Sequence, residues 1–159
     1  MSHSIELFNI IDTALTELNI KRSSDYETGV IHFTFDCGRP IITVKVLIIT
    51  RKSDYSVYAI FPISADSGNR KEIHALADFV CRANYGLVLG HFNLDPNDGE
   101  IQYQTTIDCT DVESPSVEQV KRALGVTIGM CEKYAPGFQG VIFAGESPEH
   151  ACERCEKDG

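Results

Sequence analysis

Hydrophobic positions along this 159-residue chain repeat with two different periods, and the switches between them mark the elements. From about Ser4 to Asn19, Phe8, Ile11, Leu15 and Leu18 recur every three or four residues, the apolar stripe of a helix. Leu7, Ile10 and Ala14 widen the stripe, so this helix packs on something broad, such as a sheet. Period two then takes over. "VIHFTFDC" sets Ile31, Phe33 and Phe35 against His32, Thr34 and Asp36, and "YSVYAIFPIS" sets Val57, Ala59, Phe61 and Ile63 against Tyr58 and Ile60. Between them, "IITVKVLIIT" is apolar at nearly every position, with Lys45 its single charge, so both faces of that strand require cover. The connections Gly38–Pro40 and Arg51–Asp54 are short and turn-like, as between antiparallel neighbours.

A second helix spans about Asn69 to Asn84. Ile73, Leu76, Ala77, Phe79, Val80 and Ala83 cover more than half its circumference, so it is either wedged deep in the fold or meets a second subunit. "GLVLGHFNL" and "EIQYQTTID" form the next pair of strands, with Ile101, Tyr103, Thr105 and Ile107 on one face of the latter. A third helix begins at "SPS", with Ser114 as N-cap and Pro115 in the first helical position. Val117, Val120, Leu124, Ile128 and Cys131 form its stripe, and it is expected to end before "YAPG". The order is α-β-β-β-α-β-β-α, which predicts an α+β domain: a five-stranded antiparallel sheet packed by helices. Residues 1–145 read as a single domain and 146–159 as a C-terminal tail, partly helical or disordered.

Composition adds limits rather than direction. At 43% hydrophobic and 23% charged the chain is an ordinary globular one. A domain of this length buries roughly 70% of the surface its unfolded chain exposes. The net charge of −9 is uneven: residues 83–159 hold 13 acids against 5 bases, and residues 95–118 hold seven acids and neither Lys nor Arg. That field opposes phosphate backbones, so nucleic acid and anionic membrane are poor partners, and a basic segment of another protein is a better one. No apolar run approaches the ~20 residues that cross a bilayer. "MSHSIELFNIIDT" places no basic region ahead of its apolar residues, which predicts a cytoplasmic protein. There, the six cysteines are expected to be reduced thiols acting as small hydrophobes.

Candidate chemistry is sparse. "LDPNDGEIQ" (94–102) is rich in acids, but a calcium loop started at Asp95 would place Gly99 at its fifth position and Thr106 where a bidentate Glu belongs. Its strand-like flanks and Pro-Asn-Asp-Gly core are hairpin chemistry instead. In "HACERC", His150, Cys152 and Cys155 are weak candidate metal ligands with half the spacing of a zinc site, in a segment expected to be solvated. His74 and Cys81 lie seven residues apart on one helix, roughly 10 Å along its axis, too far for a catalytic dyad. Asp78 is four residues from His74 and able to pair with it. Gly125 and Gly129 share a stripe of the third helix, open to close backbone contact or simply weakening it. No phosphate loop, serine elbow or metalloprotease signature occurs, and no cofactor is indicated. One surface stands out: with helices on one side of the sheet, Leu47, Ile49, Tyr58 and Ile60 need cover from the C-terminal Val141–Phe143, a twin subunit or a peptide ligand.

Two stretches, "ANYGLVLGHFNLDPNDGEIQYQTTID" (83–108) and "YAPGFQGVIFAGESPEHA" (134–151), together with the element order, resemble the YbjN-domain family, related to the type III secretion (Tir-type) chaperones. The resemblance implies a small, acidic, bacterial α+β protein, commonly a homodimer without an active site, in a group labelled sensory-transduction regulators. Chaperones of this fold hold a partner's extended segment on hydrophobic patches. The two glycines of the third helix and the cysteine-rich end depart from that pattern. The resulting expectation is a non-enzymatic, chaperone-like or regulatory module that binds a protein segment through Leu47, Ile49, Tyr58 and Ile60. A self-contained regulatory dimer without peptide ligand stays open as an alternative, as does a metal or redox protein using Cys152 and Cys155.

Overall fold

A computed structural model describes residues 2–38, 42–112 and 114–157. Arg39 and Pro40 of the predicted Gly38–Pro40 connection lie outside the described residues, as do the last two residues of the tail. The elements run α1 (Ile5–Glu17), β1 (Ser23–Asp25), β2 (Val30–Cys37), β3 (Ile42–Thr50), β4 (Asp54–Ser64), α2 (Arg70–Tyr85), β5 (His91–Leu94), β6 (Glu100–Asp108), α3 (Val117–Phe143) and α4 (Pro148–Lys157). The fold is α+β, with one antiparallel sheet in the order β1-β2-β3-β4-β6-β5.

The sheet has six strands, not five. The extra one, β1, is Ser-Ser-Asp and shows no hydrophobic alternation. It forms because the chain leaving α1 is tied back to that helix: Arg22 grips Asp12 with two bonds of 2.7 Å, and Ser24 Oγ donates to the same carboxylate at 2.8 Å.

α1 starts at Ser4, whose side chain accepts from the Leu7 amide at 3.2 Å. It buries Leu7, Phe8, Ile11, Ala14 and Leu15. Leu18, read as part of the stripe, caps the helix instead and stays exposed.

The stretch 94–102 is a turn, and its carboxylates are spent on its own backbone. Asp95 Oδ1 accepts from the Asn97 amide at 2.8 Å, and Asp98 Oδ1 accepts from the Glu100 amide at 2.9 Å. Gly99 takes φ +78°, and a Cβ there would lie 2.1 Å from the Ala65 carbonyl oxygen, so the corner requires glycine twice over.

The third helix corrects the sequence reading at both ends. Its N-cap is Ser116, reciprocally bonded with Gln119, rather than Ser114. It also runs through "YAPG" to Phe143, with Pro136 inside. A proline within a helix costs about 3 kcal/mol or more, which is why a stop was expected. Aromatic burial offsets the cost. Phe138 lies 4.7 Å from Phe79, 5.2 Å from Phe92 and 5.2 Å from Phe61 between ring centroids, and is fully buried.

Gly137 lets this happen. A Cβ at that position would come within 2.4 Å of the Phe79 ring and 2.9 Å of Cys155 Sγ. Gly140 has the same role toward Glu146, whose carboxylate would sit 2.0 Å from an added Cβ. The segment after Pro148 is therefore a docked helix, not a solvated end. α4 buries Ala151, Cys152 and Cys155 against α2 and α3, and Arg154 clamps Glu146 at 2.7 Å and the Pro136 carbonyl at 3.1 Å. This extra helix also explains the wide apolar face of α2, although Ala77 proves exposed.

Stability measurements test this packing. Gly125 and Gly129 have nothing within 4 Å of where a Cβ would stand, so Gly125→Ala and Gly129→Ala should each raise stability by up to about 1 kcal/mol. Gly137→Ala should lower it by about 1–3 kcal/mol, because the ring and the thiol are packed core. Urea midpoints at constant m-value check both. Arg22, with help from Ser24, holds the Asp12 carboxyl below its ordinary value, so its contribution is present above the unfolded pKa of about 3.9 and lost as pH falls through the folded one. Asp12→Asn should cost about 1–3 kcal/mol near neutral pH, with the difference from the parent vanishing in acid.

Candidate partner-binding face

Leu47 pairs with Tyr58, Lys45 with Ile60 and Ile49 with Ser56. With side chains alternating across the pleat, Leu47, Ile49, Tyr58 and Ile60 project from one face. Val30, opposite Ile49, extends the patch. Neighbours one step along the strands, Val46, Ile48, Val57 and Ala59, point the other way and are fully buried. The five patch residues are half-buried, shielding one another's flanks, while Thr34, Asp36 and Lys45 around them are exposed. The residues expected to need cover are thus brought together, and Val141–Phe143 does not cover them, because it belongs to the last turn of α3.

The other half of this face is polar and already wired. Arg51 Nη1 donates to Asp54 and, at 3.0 Å, to Ser56 Oγ. The Ser56 and Thr106 hydroxyls are 2.8 Å apart, Gln104 Nε2 donates to Thr106 Oγ1 at 3.2 Å, and Asn93 Nδ2 donates to Gln104 Oε1 at 3.1 Å. This ladder crosses β4, β6 and β5, leaving β3 and the middle of β4 as the apolar part. Tyr58 also interacts electrostatically with Arg51, so the tyrosine spans the boundary between the two halves.

The sheet edges differ. At β5, the Asn84 side chain accepts from the Phe92 amide at 2.7 Å and donates to its carbonyl at 2.9 Å, standing where another strand would bind. Sequence reading took Asn84 only as a helix end; an amide residue between a helix and a short strand was the available signal. At the opposite edge, β1 pairs β2 only over Val30, Ile31 and His32. Among the described residues, no strand lies outside β2 from Phe33 onward. A recess of about 470 Å³ opens where they part, between Lys21–Ser23 and His32–Thr34 with Lys45 at its rim.

The tail residues do not converge. His150 is exposed and pairs through Nδ1 with Glu146 at 2.7 Å, whereas Cys152 and Cys155 are buried. Burial first, then the adjacent Glu156 carboxylate, pushes the Cys152 thiol up to about 11. Burial likewise raises Cys37 to about 11 and moves Cys131 and Cys109 upward. Thiolate chemistry and metal ligation need the opposite shift. Asp78, considered as a partner for His74, binds Arg82 at 2.9 Å. Among the described residues, no three His, Cys, Asp or Glu side chains group to hold a metal, and no helix is long and apolar enough to cross a membrane.

Helices on one face of an antiparallel sheet and an open, half-apolar surface on the other define a two-layer α+β domain. The chain belongs to the YbjN family, described as "Putative bacterial sensory transduction regulator", whose profile matches residues 9–140 and so stops short of α4. Among solved structures, it is similar to a chain of the "Structure of the HopA1-SchA Chaperone-Effector Complex", at 15% identity and a TM-score of 0.44, covering 80% of this chain and 92% of that one. No curated protein sequence matches.

The thiols offer a direct check on the buried α4. Cys81 is the exposed cysteine and Cys109 the half-buried one. At pH 8 a disulfide-exchange reagent should titrate Cys81 rapidly and Cys109 slowly in the native protein, with the remaining four reacting only after denaturation. Fast reaction at Cys152 or Cys155 would show that α4 is not docked as described.

Proposed function

We propose that this protein is a non-enzymatic, chaperone-like binding module that holds an extended segment of a partner protein against the apolar half of its open sheet face. The observation that carries the reading is the convergence of Leu47, Ile49, Tyr58 and Ile60 on the side of the sheet opposite its core. A contiguous apolar surface of this kind is a binding feature in soluble proteins. Beyond His32, no described strand pairs the outer edge of β2, so main-chain donors and acceptors lie open level with Lys45 and Ile60, at one end of the strip, as strand addition requires. Membership of the YbjN family agrees with a regulatory rather than a catalytic role. The working state is a homodimer, as the sequence resemblance implies, and its proposed compartment is the cytoplasm.

A self-contained regulatory domain is the second reading, and one observation favours it. The four side chains are each half-buried by their neighbours, so the face is tolerable in water without a ligand.

Capture from native-host lysate separates the two. Tagged wild-type protein should enrich one or two proteins that survive a high-salt wash, because the contact is apolar. Leu47→Ser with Ile60→Ser should lose them while retaining a native circular-dichroism spectrum, since neither residue is core. Absence of any specific partner under both washes would favour the self-contained domain.

A further inference from the structure

We infer that the groove between α2 and α4 is a second docking site, for a cationic amphipathic segment of another protein. The groove has a volume of about 440 Å³. Cys81 and Gly86 on the α2 side and Cys152 on the α4 side are uncharged, and Tyr85 stands at one end. Tyr85 is 96% exposed, and Val88, three residues on, is fully exposed. These two are the most exposed large hydrophobics among the described residues, ahead of Phe143 at 70%.

Charge complementarity names the occupant. Glu149, Glu153 and Glu156 line the groove along α4. The resident cation, Arg82, is drawn away by Asp78 at 2.9 Å and sits 3.9 Å from Glu149, while Lys157 approaches Glu153 at 3.6 Å. Three carboxylates and one cation, itself engaged by Asp78, line the groove, which is therefore negative. Lysine and arginine match such a site in both halves: the aliphatic stem lies on uncharged surface and the head meets carboxylates. Leucine or phenylalanine between them would cover Tyr85 and Val88. A segment alternating basic and apolar residues meets both requirements, and an acidic or purely apolar one does not. The preference for basic partners expected from the acidic half of the chain is thereby assigned to a place. That place is built by α4, outside the residues the family profile matches, and is separate from the sheet face.

The test is fluorescence anisotropy with a labelled peptide alternating lysine and leucine, against the intact chain and four variants. Glu149→Gln/Glu153→Gln/Glu156→Gln should weaken binding about tenfold or more, given up to about 1 kcal/mol for each exposed pair. Glu6→Gln/Glu27→Gln/Asp111→Asn removes the same charge from exposed sites on other elements and should change binding less than twofold. Tyr85→Ala/Val88→Ala, at positions too exposed to affect folding, should also weaken it. Bound peptide should slow alkylation of Cys81 severalfold. Equal losses from both charge-neutralised triples would overturn the proposal in favour of general electrostatic attraction. So would an unprotected Cys81, no binding by the wild type, or a loss seen only with Leu47→Ser/Ile60→Ser, which would make the sheet face the peptide's site.

Discussion

Phe138 is the contact on which the rest of the architecture depends. It sits on α3 between Phe79 of α2 and Phe61 and Phe92 of the sheet, tying two helices and the sheet into one core. The ring reaches that position only because α3 continues beyond Pro136, and the close approach of α2 and α4 is possible only because residue 137 has no side chain. Proline and glycine, each unfavourable in a helix, are here the residues that let the helix touch its neighbours.

That packing draws every helix to one side. α1, α2 and α3 consume the core face of the sheet, and α4 is laid over α2 and α3 rather than over the strands. The opposite face keeps what β3 and β4 place on it, an apolar strip beside a polar ladder. Edge protection follows the same asymmetry: the β5 edge is closed at Phe92 by Asn84, whereas among the described residues a strand covers β2 over three residues only. An edge that no described strand guards, level with one end of an apolar strip, is a liability unless something binds there, which supports a binding role.

Legibility followed the physics of each element. β2, β4 and β6 could be read because period-two alternation needs only local sequence, β3 because its apolar run is continuous, and antiparallel order followed from short connections. β1 could not, since three polar residues become a strand only through Arg22 and Ser24 holding Asp12 of another element. The candidate face was half legible. Leu47, Ile49, Tyr58 and Ile60 were identifiable as apolar residues in want of cover, but whether they share a face depends on register, and a slip of one residue would have sent β3's pair to the core. Asn84 as an edge guard carried almost no local signal.

The sequence by itself determined the α+β class, the three principal helices and the hairpin corner at Gly99, because these rest on periodicity and on dihedral angles that particular residues allow or forbid. Only the tertiary structure decided where α3 ends and that α4 exists as a docked helix. A proline's local cost is fixed at about 3 kcal/mol, while the burial that offsets it comes from Phe61, Phe79 and Phe92, residues 44 to 75 positions away from Pro136 that no local window contains.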